Sequence, residues 1–87
     1  MTDFDQGSVV DVLTFRPPRD PQVQRLAVSE DPRLLEDDPE RVLVIVFNYG
    51  PNTIEVDDGG EPITVEKYGH ALFGIGDRGA IHARIVS

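Results

Sequence analysis

Val42-Leu43-Val44-Ile45-Val46-Phe47 is six consecutive apolar residues with Arg41 before it and Asn48 after it. Successive side chains of a strand point to opposite faces, so a strand that is apolar at both parities needs cover on both. Residues 42–47 are therefore expected to form a central strand. Working outward, Asn48-Tyr49-Gly50-Pro51-Asn52 supplies a turn. Thr53-Ile54-Glu55-Val56 alternates with Ile54 and Val56 to one side, and Asp57-Asp58-Gly59-Gly60 is a hairpin turn leading into Pro62-Ile63-Thr64-Val65-Glu66. Tyr68-Gly69 turns the chain again. His70-Ala71-Leu72-Phe73-Gly74-Ile75 and Ala80-Ile81-His82-Ala83-Arg84-Ile85-Val86 complete the series, joined by Gly76-Asp77-Arg78-Gly79. Short apolar segments with turn signals between them predict an all-β module, either a meander or a small antiparallel sandwich or barrel-like module. Val44 or Ile45, Ile54, Val56, Ile63, Val65, Ala71, Phe73, Ile75, Ile81, Ala83 and Ile85 are expected to face inward.

Residues 1–40 have a different composition, holding five of the seven prolines, whereas seven of the eight glycines lie in residues 41–87. Residues 9–15 have strand character. Arg16-Pro17-Pro18-Arg19-Asp20-Pro21 then lacks three backbone donors and is expected to follow an extended, polyproline-like path. Residues 22–28 alternate as a strand, and Asp31-Pro32-Arg33-Leu34-Leu35-Glu36 offers a cap, a proline at the first helical position and one helical turn. Residues 1–21 are thus assigned to an N-terminal arm and 22–87 to the β domain.

At 87 residues the chain buries only about 60% of the surface its unfolded form exposes. With no cysteine, stapling by disulfides or zinc thiolates is closed to it, and a partner subunit becomes an expected source of stability. The spare face of residues 42–47 requires either the arm or a neighbouring subunit. The formal charge of -8 repels phosphate backbones and anionic headgroups, which argues against nucleic-acid and membrane-surface partners. No apolar run approaches the ~20 residues of a membrane-spanning helix, and the acidic start, Met1-Thr2-Asp3-Phe4-Asp5, is unlike a secretory signal. Production and assembly in the cytoplasm are expected.

Catalytic and cofactor motifs are weak. Gly74-Ile75-Gly76-Asp77-Arg78-Gly79 matches G-x-G-x-x-G, but only one more strand follows it where a dinucleotide site needs a helix and a later acidic residue. A hairpin is expected there, and no cofactor. Glu55, Asp57, Asp58 and Glu61 crowd one turn without the spacing of a calcium loop, so a solvated acidic turn is expected and no metal is assigned. His70 and His82 are the natural candidates for acid–base work, yet no third group orients them, and no serine sits in a nucleophile elbow. No catalytic residue is assigned. Pro18-Arg19-Asp20-Pro21 fits P-x-x-P and is read as a connector lying along a partner, with Phe15 as an apolar anchor. Residues 42–47 are aggregation-prone, with Pro39, Glu40 and Arg41 as gatekeepers.

The succession from Arg41 to Phe47, Asn48-Tyr-Gly-Pro-Asn-Thr-Ile-Glu-Val56, Pro62-Ile-Thr-Val65, a glycine turn and Gly79-Ala80-Ile81-His82-Ala83 resembles small β-sandwich domains of tailed-phage virion proteins. The resemblance covers about residues 22–87; Asp57-Asp58 stands where such domains carry glycine. It implies a non-enzymatic structural role, first a capsid decoration protein on the outer surface of the major capsid protein shell. It further implies a homo-oligomer, a trimer by analogy, located on the virion. A head fibre, collar or tail-attachment subunit is the nearest alternative, and a small cytoplasmic adaptor binding a peptide or metal is another. The expected partner interface comprises Val12, Leu13, Phe15, Arg16, Pro17, Pro18, Arg19, Pro21, Leu43, Phe47 and Tyr49.

Overall fold

Alternation of apolar and polar side chains drives the chain into strands whose inner faces share one core. The computed structural model describes residues 8–28, 33–74 and 79–86. Among these residues eight strands form: β1 (Ser8–Phe15), β2 (Gln22–Val28), β3 (Arg33–Leu35), β4 (Leu43–Gly50), β5 (Ile54–Asp57), β6 (Ile63–Val65), β7 (His70–Phe73) and β8 (Ile81–Ile85). They make two antiparallel four-stranded sheets, ordered β2-β1-β4-β7 and β3-β8-β5-β6. Among the described residues no helix is long and apolar enough to cross a membrane.

The arrangement is not a meander. Of the strands consecutive in sequence, only β1 and β2, and β5 and β6, are hydrogen-bonded neighbours. Three of the pairings are nested, β5 with β6 inside β4 with β7 inside β3 with β8, while β1 with β4 and β5 with β8 join the strands into sheets. The chain from β3 to β8 is thus one long hairpin folded over itself, with β1 inserted between β2 and β4.

Val10 and Val12 of β1, Val44 and Val46 of β4, and Ala71 and Phe73 of β7 meet Ile54 and Val56 of β5, Val65 of β6, and Ile81 and Ala83 of β8 in a single buried cluster. β4 is an inner strand as expected, with Val44, Val46 and Asn48 on its buried face. Ile63, expected inward, is 37% exposed. It pairs with Val56 on the inward face, but β6 is a sheet edge and its first residue overhangs the core. Ile75 lies outside the described residues.

The boundary expected at residue 21 is revised for residues 8–15. They form an inner strand in register with β2 on one side and β4 on the other, and Val10 and Val12 are core residues. Proline frequency misplaces the boundary because Pro17, Pro18 and Pro21 fall in the loop after β1, where missing amides cost no ladder bonds. That loop is a turn and not an extended connector: Arg19 N–H donates to Arg16 O at 2.9 Å. The helical turn expected over residues 31–36 is also replaced, at Arg33–Leu35, by β3 paired with β8, because Leu34 and Leu35 pack against the core. Asp31 and Pro32 lie outside the described residues.

β4 continues three residues past the expected start of its turn. Asn48 makes this feasible, since its Nδ2 donates to Asn52 O at 2.8 Å and Val65 O at 3.1 Å while Oδ1 accepts from Gly50 N–H at 2.8 Å. Gly50 closes the strand at φ 87°, where a Cβ would lie 2.6 Å from Lys67 Cγ, so only glycine fits. Arg41, expected as an exposed gatekeeper, is instead 1% exposed.

Candidate binding face

The two sheets turn contrasting outer faces to solvent. Residues directly opposite in adjacent strands share a face, so register alone assembles each surface. On the β2-β1-β4-β7 sheet, Val23 lies opposite Leu13, Leu13 opposite Ile45, and Ile45 opposite Leu72. This apolar row crosses all four strands, with Leu13 and Ile45 half-buried and Val23 and Leu72 61% and 53% exposed. Phe15 and Leu43 pair beside it. The next row runs Arg25, Asp11, Phe47, His70.

Arg25 holds Asp11 through two hydrogen bonds of 2.9 and 3.1 Å, and its guanidinium lies 5.4 Å from the centre of the Tyr49 ring. Those bonds hold the Asp11 carboxyl below the ordinary aspartate value of 3.8, with a smaller contribution from the Tyr49 hydroxyl. The ring of Phe47 stands 5.7 Å from that of His70. The face therefore combines an aliphatic strip, an aromatic flank and one internally neutralised ion pair.

The outer face of the β3-β8-β5-β6 sheet is charged. Arg33 lies opposite His82, His82 opposite Asp57, and Arg84 opposite Glu55. Arg84 Nη2 reaches Glu55 at 2.8 Å, and His82 Nδ1 stands 3.8 Å from Asp57. Such exposed pairs contribute little stability, but they keep water on this face.

Of the expected interface, Leu13, Phe15, Leu43, Phe47 and Tyr49 come together on the apolar face. Val12 does not: it is 0% exposed, in the core between the sheets. Its parity opposes that of Leu13, so including both in one surface is inconsistent with a strand. Arg16 pairs with Asp38 and donates to Gln22 Oε1 at 2.6 Å, bracing the β1–β2 loop. Pro17, Pro18, Arg19 and Pro21 are exposed on that loop, with Arg19 3.4 Å from Glu40. Val23, Ile45 and Leu72 are the members that sequence reasoning missed. Strand alternation marks Ile45, between Leu43 and Phe47, whereas Val23 and Leu72 join it only through the pairing of β2 with β1 and of β7 with β4.

His70 and His82 lie on the outer faces of different sheets and share no site. Asp57 and Asp58 accept Gly59 and Gly60 N–H at 2.9 and 3.1 Å, as turn carboxylates do. Among the described residues, no three histidine, cysteine, aspartate or glutamate side chains come together to hold a metal. The G-x-G-x-x-G stretch falls largely on residues 75–78, outside the described residues.

The Arg16 hydrogen bond holds the Asp38 carboxyl below 3.8, helped by the backbone of Glu40. Asp38 and Asp11 thus bind protons more weakly folded than unfolded, so their stabilisation is complete above the unfolded value and lost as pH falls through the folded ones. Urea midpoints should stay level near neutrality and fall below about pH 4. Asp38→Asn should flatten that acid limb; an unchanged limb would show that the pair with Arg16 makes no contribution.

No family model, no curated protein and no solved structure matches the chain.

Proposed function

We propose that the chain is a non-enzymatic virion structural protein of a tailed phage, a capsid decoration protein that attaches to the major capsid protein shell. The β2-β1-β4-β7 face meets the shell and the charged face points to solvent. The observation that carries this reading is the apolar row Val23, Leu13, Ile45 and Leu72, continuous on one face of an otherwise acidic protein. Isolated exposed apolar residues need no explanation, whereas a contiguous patch rimmed by polar groups is what an interaction surface requires. Support at the level of architecture comes from the nested pairing, the wrapping of a jelly roll, which recurs in viral capsid and lectin domains. Attachment stabilises the assembled state by mass action: what binds only the closed shell shifts the equilibrium towards it.

Quantitative mass spectrometry of purified particles tests this reading. A copy number comparable to that of the shell protein is the expected result. A handful of copies would move the chain to a fibre, collar or tail attachment, and absence from particles would leave the adaptor reading in front. A second test uses Val23→Lys with Leu72→Lys. Both positions are exposed, so stability should change by less than about 0.5 kcal/mol per site. Attachment should weaken at least roughly tenfold, because burying one such side chain contributes about 1.5–3 kcal/mol.

A further inference from the structure

We propose that β2 is a self-pairing edge, through which two copies of this chain join their β2-β1-β4-β7 sheets into one eight-stranded sheet. The inference does not rest on the attachment reading; it concerns the rim of the sheet and not its face.

An edge strand presents unpaired backbone N–H and C=O groups, and proteins that stay monomeric blunt such edges with short strands, prolines, bulges or charges. Among the described residues the sheets have four edges, and three of them are blunted. β3 and β6 have three residues each; Pro32 and Glu36 flank the first, and Pro62 and Glu66 the second. β7 has four residues between Gly69 and Gly74. β2 differs, with seven residues, no proline, no lysine, and a register with β1 that runs unbroken from Gln22 to Val28. Residues 22–25 and 27 are exposed.

Charge selects a second copy as the occupant. The chain carries -8, yet β2 contains no acidic residue, and its one charge, Arg25, is bound to Asp11 of the neighbouring strand. A second copy therefore meets on this long edge no carboxylate and no charge that is not already paired. Antiparallel pairing about a two-fold axis at Gln24 sets Val23 opposite the partner's Arg25 and Gln22 opposite the partner's Leu26. Gln24 then faces the partner's Gln24, an amide pair in which each side chain can donate and accept. Centring on Arg25 would oppose two guanidinium groups, which is unfavourable across strands. With the axis perpendicular to the sheet, both apolar faces lie on the same side, and a dimer presents a doubled surface to any partner.

Sedimentation equilibrium of the full chain, with Gln24→Lys and Gln24→Glu, tests the edge and its register together. The wild type should dimerise reversibly. Each variant alone should weaken the dimer by roughly fivefold, the effect of a like-charged pair directly opposite. An equimolar mixture of the two should restore it, because lysine then faces glutamate across the axis. Thermal melts of the separate variants confirm that each is folded. A wild type that stays monomeric overturns the proposal, as does a dimer indifferent to both charges. A dimer lost in Leu72→Lys but retained in both Gln24 variants would place association on the apolar face and also overturn it.

Discussion

Asn48→Ala is expected to destabilise the fold by about 3 kcal/mol, because the amide is 0% exposed and serves three parts of the chain at once. Its Nδ2 ties Asn52 O in the turn after β4 and Val65 O at the end of β6, and its Oδ1 satisfies Gly50 N–H. Ser8 Oγ shares the load: it donates to Asn52 O at 3.0 Å and accepts from Asn52 N–H at 2.9 Å. The alanine variant removes the group that links these elements and leaves the Gly50 amide without its side-chain acceptor. For a chain this size total stability is of order 4–13 kcal/mol, so the loss is a large fraction of it. Thermal melts followed by circular dichroism should show the midpoint falling by roughly 15 °C. Asn48→Asp sharpens the test, since a carboxylate cannot donate to two carbonyls and brings a buried charge. It should be at least as damaging at neutral pH and partly recover on acidification. A midpoint within a few degrees of the wild type for both variants would show that the turn holds itself.

Arg41 provides the second large effect. Its guanidinium lies buried between two carbonyls, Nη1 donating to Glu36 O at 3.3 Å and Nη2 to Gly79 O at 2.5 Å. It thereby fastens the segment after β3 to the approach to β8. Arg41→Ala is expected to cost roughly 3 kcal/mol, from the lost stem packing and from carbonyls deprived of donors. Arg41→Met keeps most of the apolar stem and removes the buried charge, so about half that loss is expected. Arg41→Lys offers a point charge where two separated carbonyls need a planar fork, and should not rescue. Urea unfolding measures the three values. Hydrogen exchange at Val42 N–H, which donates to Phe15 O at 2.9 Å, should accelerate most in the alanine variant. Equal losses for alanine and methionine would show that the hydrogen bonds dominate and the stem contributes nothing.

Both residues illustrate where reading a chain linearly stops. Arg41 precedes an apolar run, and a charge in that place is ordinarily a solvated guard against aggregation. Its burial depends on carbonyls at residues 36 and 79, which no local pattern connects. Asn48 looks like a turn residue and does serve a turn, but its second bond reaches Val65 in another sheet. The candidate face divides in the same way. Leu13, Phe15, Leu43, Phe47 and Tyr49 alternate visibly along two strands, whereas Leu72 and Val23 enter the same surface only once β7 and β2 take their places beside β4 and β1.

Strand character and most inward positions lie within reach of the sequence, because they depend on a period of two that each segment carries by itself: Ile54 and Val56, Ala71 and Phe73, Ile81 and Ala83. The absence of cysteine and the charge of -8 are likewise properties of the chain alone. Strand neighbours are another matter. That Ser8–Phe15 is an inner strand, that Arg33–Leu35 pairs with β8 and forms no helical turn, and that one face is apolar while the other is charged are outcomes of contacts between residues far apart in sequence. Local propensity is worth tenths of a kcal/mol per residue, whereas burying one valine contributes about 1.5–3 kcal/mol, so where the two disagree the tertiary pairing prevails.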